Sequence, residues 1–177
     1  MAKITTHPAA AAGRITAPAA LTPKHDLSQF NSGKAALDDW LRTHALDSEG
    51  KTARTYVVCT RNVVVVGYYC ISMGSVERRA LPSKMRREQG LPNSIPVATI
   101  GRLARDVSFR GQGLGPDLLQ DAFTRILSAS RTIGMRAVLV HALDEEAAKF
   151  WKEYEFIECP LGSRTFYLPI ETVADSV

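Results

Sequence analysis

Arg110-Gly111-Gln112-Gly113-Leu114-Gly115 places three glycines in five positions behind a cation, between a strand-like stretch and a helix-like one. Backbone N–H groups at the start of a helix have no intrahelical partner and point along the positive end of its dipole. Glycines remove the side chains that would keep a pyrophosphate away from those groups. Pro116 suits the first helical turn, where its missing N–H costs nothing. By spacing alone the segment reads as a phosphate loop or as a plain glycine-rich turn. It is neither a Walker loop, since no Gly-Lys-Ser/Thr follows, nor Gly-x-Gly-x-x-Gly.

Other residues could move protons. His141 ends an apolar run and reads as a base or, more simply, as a structural histidine. "FWKEYEF" offers the phenol of Tyr154 and the indole of Trp151, and an indole N–H donates a hydrogen bond but is no acid near neutral pH. Asp144 stands where a helix N-cap is expected. Cys59, Cys70 and Cys159 are an odd count without metal-ligand spacing, so no metal is expected. Cys59 and Cys70 fall in apolar runs and read as small core residues.

The net charge of +4 matters less than its distribution. Residues 51–110 hold eleven Lys/Arg against three acids, a surplus of eight, while the remainder carries −4. A basic middle flanked by acidic ends suits a polyanionic partner, or else is a solvated face. Within it Arg78, Arg79, Lys84, Arg86 and Arg87 cluster in a stretch with three prolines, expected to be free to follow a phosphate chain.

These residues need a scaffold. A chain of 177 residues with 45% hydrophobic and 23% charged residues fits one soluble domain with a real core, expected over 13–177. Residues 1–12 are Ala/Pro-rich, aperiodic and expected to be disordered. No apolar run approaches the roughly 20 residues of a membrane span. With no secretory leader and unpaired cysteines, a cytoplasmic protein is expected. "NSGKAALDDWLRTHAL" predicts a helix with Ser32 as N-cap. "TYVVCT" and "VVVVGYYCISMGSV" predict a hairpin turning at Arg61-Asn62. After one short helix in the basic stretch, "VATIGRLARDVS" predicts a strand, and the segment from Gly115 a helix ending at Gly134. "MRAVLVHAL" predicts a strand buried on both faces, followed by a helix from Asp144 and two short strands. The pattern is mixed α/β with strand–helix–strand crossovers.

Arg110-x-x-Gly113-x-Gly115, after a strand and opening a long helix, resembles motif A of the GNAT acetyltransferases. More narrowly, "SGKAALDDWL", "ARTYVVC", "GRLARDVSFRGQGLGPDLL" and "RAVLVHALDEEAAKF" resemble the acetyltransferase toxins of type II toxin–antitoxin modules. The resemblance spans about residues 13–169. It implies a GNAT fold, with a central mixed twisted sheet of six to seven strands and about four helices. It implies acetyl-CoA as cosubstrate, with Arg110, Gly111, Gln112, Gly113, Leu114 and Gly115 at the pyrophosphate. Leu103, Ala104 and Arg105 would lie along the pantetheine on a splayed strand, and Asp144 matches a position often held by Asn. It implies acetylation of aminoacyl-tRNA, arresting translation; the charge cluster Arg78, Arg79, Lys84, Arg86 and Arg87 would then contact the tRNA backbone or, equally, an acidic antitoxin tail. A homodimer neutralised by a ribbon-helix-helix antitoxin is the expected assembly. Trp151 stands where the family pattern F-Y-x-x-x-G-F has the tyrosine that protonates the leaving sulfur, which leaves Tyr154, the nearby phenol, as a substitute acid or as a packing residue at the helix end. Two alternatives stay open at this point: acetylation of a small amine or protein N-terminus, and a degenerate acetyl-CoA binder serving mainly as antitoxin partner.

Overall fold

The computed structural model describes residues 15–61, 63–160 and 164–177, so the tail expected over 1–12 and Asn62 of the expected turn lie outside the described residues. The strands are β1 (Ala19–Ala20), β2 (Arg54–Thr60), β3 (Val64–Glu77), β4 (Ser94–Arg105), β5 (Ala137–His141), β6 (Ile157–Glu158) and β7 (Thr165–Pro169). The helices are α1 (Ala35–Thr43), α2 (Ala45–Ser48), α3 (Ser83–Arg86), α4 (Leu114–Ser130), α5 (Glu145–Glu153) and α6 (Ile170–Asp175), with 3₁₀ turns at Arg78–Ala80 and Val107–Phe109. The strands form one mixed sheet in the order β1-β2-β3-β4-β5-β7-β6. The described residues thus hold six α-helices rather than about four. The two additions, α2 and α6, span only four and six residues, too short for a 3.6-residue period to register.

The chain forms two compact units. The first comprises residues 15–72 and Gly101–Ala122. Its core gathers Leu41 and Ala45 from the α1–α2 segment with Phe30, Val57, Val65 and Tyr68. The Tyr68 hydroxyl donates to the Leu37 carbonyl at 2.8 Å, tying β3 to α1. Gly67 lets α4 approach, since a Cβ there would sit 3.1 Å from Leu114 and 3.2 Å from Leu118. Ser32 is not the N-cap of α1. Lys34 takes that place, because Gly33 turns the chain at φ 82. Ser32 instead donates its N–H (2.9 Å) and hydroxyl (2.5 Å) to buried Asp38 in the first turn of α1.

The second unit comprises Met73–Ile100 and Phe123–Val177. Ala137–Val140 of β5 are buried, paired in parallel with Val97–Ile100 of β4 and antiparallel with β7. Burial of consecutive residues means that both faces of the strand are covered, which accounts for the continuous apolar run. Asp144 caps α5, accepting the Ala147 N–H at 2.9 Å. Helix α4 stops at Ser130, short of Gly134. The N–H groups of Thr132 and Ile133 both return to the Ala129 carbonyl at 2.9 Å, and Gly134 does not adopt the left-handed conformation a C′ glycine would show.

Candidate functional site

In the first unit β4 leads through the 3₁₀ turn into the glycine loop and α4. Gly111 and Gly113 sit at φ 72 and φ 80, in the region that favours glycine. A Cβ added at Gly111 would meet nothing within 4 Å, so that face of the loop is open. The first helical bond at this end is donated by the Asp117 N–H to the Gly113 carbonyl at 3.1 Å. The N–H groups of Gly113, Leu114 and Gly115 therefore precede the intrahelical ladder, at the positive end of a 17-residue helix. Arg110 is exposed at the front of the loop, and Gln112 donates its side-chain amide to the Ser108 carbonyl at 2.8 Å. Such a cradle suits a phosphate or pyrophosphate.

The loop is held by a residue that the motif alone does not single out. Asp106 accepts the N–H (2.9 Å) and hydroxyl (2.6 Å) of Ser108 with one oxygen and the Asn31 N–H (2.9 Å) with the other. Burial pushes its carboxyl upward, but the bonds from Ser108 and Asn31 outweigh burial and leave it below the usual carboxylate range. Asp106-Val107-Ser108 carried the signal, since Asp with Ser two residues on is an Asx-turn pattern.

Leu103, Ala104 and Arg105 end β4, with Ala104 buried and the other two half-buried. In the β4–β5 register Ile100 faces Val140 and β5 ends at His141, so these three residues continue past the end of β5. Arg102, beside them, lays its guanidinium over the Trp40 ring at 4.3 Å.

In the second unit Trp151 is buried, edge-on to Phe150 and to Phe156, both with centroids at 5.1 Å. Tyr154, the C-cap of α5, is half-buried with its ring 4.9 Å from that of Phe150. Both belong to an aromatic cluster continued by Phe123. His141 is exposed and its Nδ1 lies 2.9 Å from the Thr165 hydroxyl, its partner across the β5–β7 ladder. That is the contact of a structural histidine.

No cysteine is poised as a nucleophile. Cys59, Cys70 and Cys159 are free and buried, and burial raises each thiol, that of Cys59 to about 11. Among the described residues no cluster of His, Cys, Asp or Glu could hold a metal ion, and no helix is long and apolar enough to cross a membrane.

The basic stretch is not the free loop the sequence suggests. The Arg78 guanidinium is taken up by the carbonyls of Arg86, Glu88 and Leu91, and Arg79 pairs with Glu77. Lys84, Arg86 and Arg87 are exposed, on and beside α3, around the buried Met85.

Comparison with known proteins places this arrangement. No family model matches the chain. A tRNA-acetylating toxin of Mycobacterium tuberculosis (strain ATCC 25618 / H37Rv) is 40% identical over 142 residues, 80% of this chain and 84% of the relative. This chain belongs to the GNAT-type tRNA-acetylating toxins. A probable toxin TacT of Sinorhizobium fredii (strain NBRC 101917 / NGR234) is 34% identical over 173 residues, 92% of this chain and 94% of the relative. Solved toxins of the family share its fold. A tyrosine-to-phenylalanine mutant of KacT superposes with a TM-score of 0.86, at 28% identity, over 93% of this chain and 99% of that one. AtaT complexed with acetyl-methionyl-tRNAfMet gives 0.83 at 34% identity, over 90% and 97%. The AtaT tyrosine-to-phenylalanine mutant toxin, bound to the C-terminus of the antitoxin AtaR and acetyl-CoA, gives 0.75 at 31%, over 90% and 95%.

Proposed function

We propose that this tRNA-acetylating toxin transfers acetyl from acetyl-CoA to the amino group of aminoacyl-tRNA, so that the charged tRNA no longer serves translation. The observation that carries the reading is the likeness, over nearly the whole chain, to a toxin solved with an acetylated aminoacyl-tRNA. The open glycine cradle supports it from this chain's own geometry. Acetyl-CoA supplies an acyl group activated as a thioester. The Gly113, Leu114 and Gly115 N–H groups hold its pyrophosphate, with Gly111 and Gln112 shaping the loop and Arg110 adding charge. The backbone of Leu103–Arg105 lines its arm, and Asp144 fixes the start of α5.

Transfer is direct. The amine nitrogen bonds to the thioester carbonyl carbon, the C–S bond breaks, the nitrogen gives up a proton and the sulfur takes one. An α-amine titrates near 8, so a sizeable neutral fraction exists at pH 7 and no strong base is required. The raised thiols argue against an acyl-cysteine intermediate. On the tRNA side the exposed Lys84, Arg86 and Arg87 meet the phosphate backbone. The chain from residue 13 onward acts as one cytoplasmic catalytic domain, works as a homodimer and is neutralised by an antitoxin of the ribbon-helix-helix type. An antitoxin partner is supported by the AtaT toxin bound to AtaR. The test is radiolabelled acetyl transfer from acetyl-CoA to total aminoacyl-tRNA, with deacylated tRNA and free amino acids as controls. Label confined to charged tRNA is expected; label on small amines or protein N-termini instead overturns the assignment.

A further inference from the structure

Five cations of the basic stretch would pass for interchangeable phosphate contacts, but their side chains are not in the same state. Arg78 directs Nε (2.9 Å) and Nη2 (2.5 Å) to the Arg86 carbonyl, Nη2 to that of Glu88 (3.1 Å) and Nη1 to that of Leu91 (3.0 Å). One guanidinium thus closes the 78–91 loop on three carbonyls. A second tie follows at Glu88. Its carboxylate takes a forked pair from Arg136, with Nη2–Oε1 at 2.8 Å and Nε–Oε2 at 3.1 Å, which holds Glu88 below the usual carboxylate range. The Arg136 side chain is only 19% exposed, and its other nitrogen reaches Glu171 of α6 at 2.6 Å. Met85, buried in the core beside Leu81, pins α3 from below. Lys84, Arg86 and Arg87 remain exposed, and no ion pair is made by them among the described residues.

Resting on the tRNA reading above, we propose that Arg78 and the Glu88–Arg136 pair are positioning residues for tRNA: they hold Lys84, Arg86 and Arg87 as one preformed cation cluster without touching the polyanion. Three like charges on neighbouring residues repel and would spread in a mobile loop. Fixing them beforehand removes ordering cost from the binding step. Arg is required at residue 78 because its planar fork bridges several carbonyls at once, which an ammonium does not. Glu88 gives the sharper discrimination, because an acid beside a polyanion site opposes binding if only charge counts.

The experiment compares acetyl transfer to charged tRNA, across a salt series, for the full-length protein and its Arg78→Lys, Glu88→Gln and Arg86→Gln/Arg87→Gln variants. Arg78→Lys, which keeps the charge, should raise the KM for aminoacyl-tRNA roughly tenfold with kcat and acetyl-CoA affinity unchanged. Glu88→Gln should raise that KM as well, although it removes a negative charge. Arg86→Gln/Arg87→Gln should lower the salt slope by about 0.7–0.9 for each phosphate that is no longer neutralised. A wild-type KM in Arg78→Lys, or a lower KM in Glu88→Gln, overturns the positioning role while the tRNA reading stands. An unchanged slope in the double variant overturns the tRNA reading of this surface and the positioning role with it. Should Arg78→Lys fail to fold, Glu88→Gln decides alone.

Discussion

Trp151 occupies the position where the family resemblance expects a phenol, and its surroundings are those of a packing residue. It is buried and held edge-on between two phenylalanines. In the proposed transfer, loss of the phenol would leave water or Tyr154 to protonate the departing thiolate. A thiol titrating near 8.5 is a tolerable leaving group, so the expected effect is a slower reaction rather than none. General acid catalysis is worth about 10²–10⁴-fold, which sets the range of the deficit. Trp151→Tyr should raise kcat for acetyl transfer and toxicity on expression. It should also cost about 1–2 kcal/mol of stability through weaker aromatic packing, read from denaturant unfolding. Tyr154→Phe tests the substitute acid. A dead Tyr154→Phe beside a silent Trp151→Tyr would assign the proton to Tyr154, and two silent variants would remove α5 from the chemistry.

The strand–loop–helix element from β4 to α4 depends on two kinds of glycine requirement, one in its own loop and one on β3. Gly111 and Gly113 are needed for their backbone angles, and Gly67 for the approach of α4. Gly111→Ala should place a methyl in open space at a left-handed position, costing about 1–2 kcal/mol and weakening acetyl-CoA binding by calorimetry. Gly134→Ala is the control, an exposed position with ordinary φ and no neighbour within 4 Å, where alanine should be neutral or slightly stabilising. Asp106 gives the element a pH dependence. Its folded carboxyl titrates below the unfolded value near 3.8, so its contribution is fully present above that value and is lost as pH falls through the folded one. Asp106→Asn should flatten the acid limb of a thermal-stability profile below about pH 4, with little change in its slope near neutrality. An unaltered acid limb would show that the Ser108 and Asn31 bonds do not favour the ionised form.

At the scale of the molecule, charge is segregated along the chain, with +8 over residues 51–110 and −4 elsewhere. Part of the positive charge is engaged by other groups of the fold. Arg78 serves backbone carbonyls, Arg54 and Arg79 pair with Glu49 and Glu77, and Arg102 lies over Trp40. Three exposed cations then carry the tRNA contact in the reading above. Raising salt from about 50 to 200 mM should raise the KM for charged tRNA roughly 20–40-fold, as neutralising three phosphates requires. Acetyl-CoA affinity, which in the proposed reading draws on loop amides and one arginine, should fall far less. A tRNA KM as insensitive to salt as acetyl-CoA binding would remove the polyanion role from the basic stretch.

Local features were legible in the sequence. The glycine loop before a helix, the doubly buried β5, the Asp144 cap and the buried Cys59 and Cys70 follow from turn chemistry and periodicity, which act within a few residues. Asp106 was legible in principle, through a two-residue Asx pattern beside the more conspicuous glycines. Other features were decided by the tertiary structure. Ser32 does not cap α1 because Gly33 turns the chain, α4 stops before Gly134, and α2 and α6 span fewer than two turns, too few for a period to register. The largest revision is in the basic stretch, where composition counts charges but does not say what each guanidinium faces. Arg78 turns inward because the 86–91 carbonyls lie within its reach. Glu88 is fixed by Arg136, 48 residues along the chain. Such pairings depend on where distant segments meet, and that is settled by burial of the core rather than by any local spacing.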